Sequence, residues 1–169
     1  MAGVFWTWFN EVYRRPGVSP ALIDLQDRFG LNVNSLLYCA WLACQHAKLT
    51  RDKAGEAVKL ETEWAELIVS PVRTARRELK TSPHIDELKR KDIRGRVQAI
   101  EIELEEVHVG LLELLTGAGE PQEEPEVLSE LAADNLREYL AARKTASADI
   151  ERITGSDSWR TLIKAISAD

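Results

Sequence analysis

The sequence predicts an all-α, single-domain bundle over residues 1–169, built from about six or seven helices, one of them long and heptad-patterned. Three observations carry this. Apolar residues recur at spacings of three and four through most of the chain. No stretch alternates apolar and polar residues for the length of a strand. Capping residues, prolines and glycines fall between the apolar stretches, where helix ends put them. With 169 residues, 44% of them hydrophobic, the chain can bury one core and is too apolar for wholesale disorder.

The first helix is expected from Val4 to Arg14, carrying Phe5, Trp6, Trp8, Phe9, Val12 and Tyr13, and stopping before Arg15-Pro16-Gly17. The second has Ser19 as N-cap, Pro20 at the first helical position and Gly30 as a left-handed cap. The third starts with Asn34 as N-cap and is apolar all round from Leu36 to Cys44, so it belongs in the middle of the molecule. Thr50 caps a fourth, which Pro71 should kink or break before the pattern resumes from Val72 to Lys80.

Ser82-Pro83 reads as the start of the longest helix. Within it Ile93, Val97, Ile100, Leu104, Val107, Leu111 and Leu114 form a heptad seam suited to packing on a partner helix. The helix should end near Gly117, and residues 118–125 read as a mobile acidic loop. Leu128, Leu131, Leu136, Tyr139 and Leu140 mark the next helix, and Trp159, Leu162, Ile163 and Ile166 a short last one.

The formal net charge is -6, so general attraction to nucleic acid or anionic membrane is not expected. The charge is unevenly spread. Arg73 to Arg96 holds nine basic and four acidic residues, whereas Val97 to Leu136 holds eleven acidic residues and no Lys or Arg. The N-terminal residues lack the pattern of a signal peptide, and no apolar run is long enough to span a bilayer. Cys39 and Cys44 are poorly placed to bond to each other, which suits a reducing, cytoplasmic setting.

Two clusters are candidate sites. Gln26, Asp27, Arg28, Asn32 and Asn34, with Trp41 nearby, could form a polar pocket between the second and third helices, Arg28 holding an anion through paired N–H donors. The competing reading is a self-satisfied junction in which the asparagines make caps and turns. Arg73, Arg76, Arg77 and Lys80 lie on one helix face and could dock an acidic protein, a phosphate group or RNA. Alternatively that strip pairs with the chain's own acidic segment. Five tryptophans could line an apolar pocket, although such residues more often fill a core.

Other chemistry is weakly signalled. Glu105 and His108 have Glu-x-x-His spacing, but a helical di-iron site needs two such pairs, so no metal is expected. Both cysteines sit among apolar residues, which suppresses thiolate chemistry. There is no phosphate loop and no nucleophile elbow, so no cofactor and no catalytic residue is assigned.

Several blocks carry a family resemblance. They are Tyr13 with Pro16-Gly17-Val18, Leu25-Gln26-Asp27-Arg28, Asn32-Val33-Asn34, Leu36-Leu37 and Trp41-Leu42-Ala43. Pro71-Val72-Arg73 with Arg76-Arg77 and Leu79-Lys80, and Asn135-Leu136 with Tyr139-Leu140, add two weaker blocks. Together these resemble an uncharacterised bacterial family, a domain of unknown function. The resemblance implies a small helical protein and no activity. The expected function is therefore a non-catalytic interaction or adaptor protein that meets a protein partner or a second copy of itself. A binder of a small anionic or amphipathic ligand, or an enzyme, at the polar junction comes second, and an RNA-associated protein third.

Overall fold

A computed structural model describes residues 3–116 and 127–167. The described residues form helices α1 (Val4–Tyr13), α2 (Val18–Phe29), α3 (Val33–Cys44), α4 (Arg51–Leu60), α5 (Ser70–Leu79), α6 (Glu87–Leu115), α7 (Leu128–Ala142), α8 (Ser147–Thr154) and α9 (Asp157–Ile166). A π-helical segment, Glu61–Val69, joins α4 to α5 without a break. The chain is thus an all-α bundle. The expected acidic loop at 118–125 lies outside the described residues.

Helix α3 is the centre. Every residue from Asn34 to Ala43 is buried, as an all-apolar helix requires. Helices α1, α2, α6, α7 and α9 pack around it. Phe5 of α1 stacks on Trp41 of α3 at 4.7 Å between ring centroids, so Trp41 is core. Asn135 of α7 fixes the turn after α3: its Oδ1 accepts from Leu49 N at 2.7 Å, and its Nδ2 donates to Ala47 O at 3.0 Å and Cys39 O at 3.3 Å.

Helix ends depart from expectation in three places. Helix α2 starts two residues earlier than a Ser19 cap allows, after Gly17 at φ 83, a left-handed conformation that glycine adopts without strain. Asn32, not Asn34, caps α3, its Oδ1 accepting from Asn34 N and Ser35 N. Asp86, not Ser82, caps α6 by accepting from Lys89 N at 2.9 Å. Gly30 and Thr50 do cap α2 and α4 as the sequence predicts.

Pro71 does not break its rod. Its ring would clash with the carbonyl four residues back in a regular α-helix. The wider i→i+5 turns immediately before it open that space. The heptad seam of α6 also differs from its expected role. The side of α6 that enters the core carries Glu101, His108, Val109 and Leu112. Ile100, Val107 and Leu114 of the seam stay 51%, 44% and 78% exposed among the described residues.

A buried ion pair ties the rod to α7. Glu61, 4% exposed, receives hydrogen bonds from Arg143, Tyr139 and Ser35 Oγ, the last at 2.9 Å. Arg143 Nη2 also donates to Gly30 O at 3.0 Å, closing the end of α2 onto α7. Burial pushes the Glu61 carboxyl above its ordinary range despite these donors, and it pushes the Tyr139 hydroxyl up as well.

Candidate functional site

Helices α5 and α6 pack side by side, which sets the basic face of one against carboxylates of the other. Arg73 Nε donates to Glu101 Oε1 at 3.1 Å, and its Nη2 donates to Glu105. Arg76 grips Glu101 through Nε and through Nη2, the latter at 3.3 Å. Burial works against the Glu101 charge, yet Arg76 and Arg73 hold its carboxyl below the usual carboxylate range. The hydrogen bond to Glu101 raises the Arg76 guanidinium in turn.

The network continues inward. Asn34 Nδ2 donates to Glu105 Oε2 and to His108 Nδ1, the latter at 2.9 Å. Asn34 is free to do this because Asn32 has taken the capping role. An imidazole that accepts at Nδ1 is neutral with its hydrogen on Nε2. Burial favours the same state, holding His108 down to about 4. His108 Nε2 is buried with no partner among the described residues.

In front of this network lies a cleft of about 420 Å³. That volume falls in the range of small-molecule sites, roughly 300–1,000 Å³. One wall is aromatic: Trp6, Phe9 and Tyr13 of α1 stack in a column, with centroid separations of 5.4 Å and 5.9 Å. Ile23, Val33 and Ile102 add apolar surface, while Asn10, Gln26, Asn32 and Asn34 supply neutral polar groups. Arg73, Arg76 and Arg77 face Glu101 and Glu105 across the remainder. Arg77 is exposed and has no ion pair among the described residues, so its five donors are uncommitted.

The cleft therefore gathers residues from both clusters that the sequence presented separately. Gln26, Asn32 and Asn34 come from the first, and Arg73, Arg76 and Arg77 from the second. The other candidates lie elsewhere. Asp27 is exposed, and Arg28 points into solvent, pairing with Asp24 at 3.2 Å and lying over the Phe29 ring. Trp41 is in the core, and Lys80 is exposed beyond the cleft. The pairing of the basic strip with the acidic segment was among the readings of the sequence, without Glu101 being singled out; Phe9, Asn10 and Tyr13 were missed as lining residues. Their signal was the i, i+3, i+4, i+7 spacing of Trp6, Phe9, Asn10 and Tyr13 on one helix face.

The described residues contain no group of three His, Cys, Asp or Glu side chains placed to hold a metal ion. Burial among apolar neighbours pushes the Cys39 thiol up, away from nucleophilic use. No described helix is long and apolar enough to cross a membrane.

Comparison with curated proteins and with solved structures finds no match. A family model described as a protein of unknown function, DUF2390, matches residues 4–112, which include every lining residue of the cleft. The chain belongs to the DUF2390 family.

Proposed function

We propose that this protein is a binding module whose cleft between α1, α2, α5 and α6 takes a small amphipathic anion. The observation that carries the reading is Arg77, a guanidinium without an ion pair among the described residues, at the edge of a cleft with an aromatic wall. A guanidinium fork recognises a planar anion through paired hydrogen bonds, and the rings accept its apolar body. Neutral amides of Gln26 and Asn32 complete a small set of polar groups that orient a ligand. The absence of a disulfide at Cys39 and Cys44 fits a reducing compartment, and we place the protein in the cytoplasm.

The test is an NMR screen of small organic anions against the 15N-labelled chain. Hits should shift the signals of Trp6, Gln26, Asn32 and Asn34 together, and should be lost in Arg77→Glu, an exposed change that leaves the fold intact. Hits that scatter over the surface, or that survive Arg77→Glu, would refute it.

A second reading, self-association through α6, is favoured by the exposed seam residues Ile100, Val107 and Leu114. A heptad stripe on one helix fits the same stripe of a second copy. Light scattering should then show a dimer that Ile100→Gln with Val107→Gln dissociates, and a monomer at all concentrations would exclude it. RNA binding gains no support, because Arg73 and Arg76 are spent on Glu101 and Glu105.

A further inference from the structure

The cleft contains its own counter-charges, and they bear on what it can hold. Three guanidinium groups line it, together with two carboxylates. Arg73 gives Nε to Glu101 and Nη2 to Glu105. Arg76 gives both Nε and Nη2 to Glu101. Glu105 is held on its other oxygen by Asn34. Two of the three cations are thereby neutralised inside the site, and three positive against two negative charges leaves one in excess, on Arg77.

We propose that Glu101 and Glu105 set the charge of the ligand, so that the cleft selects an apolar monocarboxylate over a phosphomonoester; this rests on the cleft reading above. One negative charge matches Arg77 and leaves the cleft neutral. A second charge would sit beside two carboxylates in partly apolar surroundings, where like charges repel more strongly than in water. A carboxylate is planar and meets one guanidinium edge with two hydrogen bonds. Asn32 reinforces this polarity. Its Oδ1 is committed to the backbone N–H groups of Asn34 and Ser35, so only its Nδ2 donor remains for a ligand. The body of such a ligand rests on Trp6, Ile23 and Ile102.

Titration calorimetry of the full chain at pH 8 with three matched probes tests this: 2-naphthoate, 2-naphthyl phosphate and 2-naphthamide. The second ionisation of a phosphomonoester has a pKa of about 6, so the phosphate carries nearly two charges there. The carboxylate should bind about tenfold more tightly than the phosphate. Arg77→Ala should remove its advantage over the neutral amide. Glu105→Gln, checked for a native circular dichroism spectrum, should narrow the carboxylate-to-phosphate ratio several-fold. A phosphate that binds the wild-type chain as tightly as the carboxylate overturns the charge-setting role while leaving the cleft reading in place. If none of the three probes binds, the cleft reading falls and this inference with it.

Discussion

Replacing Arg143 with alanine probes what the buried ion pair contributes. Glu61 is 4% exposed, and Arg143 is its only cationic partner among the described residues. The variant leaves a carboxylate inside the bundle with only the neutral donors Tyr139 and Ser35. Removing one member of a buried pair costs about 3–5 kcal/mol. With a urea m-value of roughly 2 kcal/mol/M, the denaturation midpoint at pH 7 should fall by about 2 M. The pH dependence gives a sharper test. Glu61 already has a folded-state pKa above its ordinary value, because burial disfavours its charge. Loss of Arg143 raises it further. A carboxyl that holds its proton more tightly when folded adds stability that is fully present below the unfolded pKa and is lost as pH rises through the folded pKa. The deficit of Arg143→Ala should therefore be largest at pH 7 and shrink as the pH falls toward 5. Chemical denaturation at several pH values reads this directly. A loss under 1 kcal/mol at pH 7, or a deficit that does not change with pH, would refute the reasoning.

His108 supplies the opposite slope. Its folded pKa of about 4 lies below the ordinary 6.5 because burial disfavours the imidazolium. The stability it contributes is present above pH 6.5 and is lost as pH falls from there to about 4. The total is about 3 kcal/mol, and His108→Gln should flatten that part of the stability profile. Asn135→Ala should cost about 3 kcal/mol in urea denaturation, since it leaves Leu49 N and the Ala47 carbonyl buried without their partner; a loss below 1 kcal/mol would show that the turn rearranges to satisfy them.

Local signals were legible where the physics is local. Gly30 and Thr50 cap their helices using atoms within four residues, so the sequence around them suffices. The central place of α3 was legible because a helix without a polar face has one place to go. The choice between Asn32 and Asn34 was not. Either asparagine can cap, and Asn34 is withdrawn from that role by Glu105 and His108, 71 and 74 residues away. The cleft was half legible for the same reason. Each cluster showed as polar residues out of place, but their meeting depends on α5 lying against α6 and on Glu101 and Glu105 drawing Arg73 and Arg76 inward. The heptad spacing of α6 described a real stripe without saying which of its edges the core would use.

The π-helical segment links the buried ion pair to the cleft. Ala57, Glu61, Ala65 and Val69 are the buried residues along this part of the rod, and Arg73 follows at the same spacing of four. In a regular α-helix a strict spacing of four drifts by about 40° at each step. From Ala57 to Arg73 the drift would reach roughly 160°, and Arg73 would emerge on the side away from Ala57. Turns bonded i→i+5 advance less per residue and cancel much of that rotation. The π segment thus lets one rod bury Glu61 against α7 and still present Arg73 to Glu101 and Glu105 on α6. An entirely α-helical rod of this sequence could keep one of these contacts but not both. Losing the second would leave Glu101 and Glu105 facing the cleft without Arg73, and its single excess positive charge would be gone.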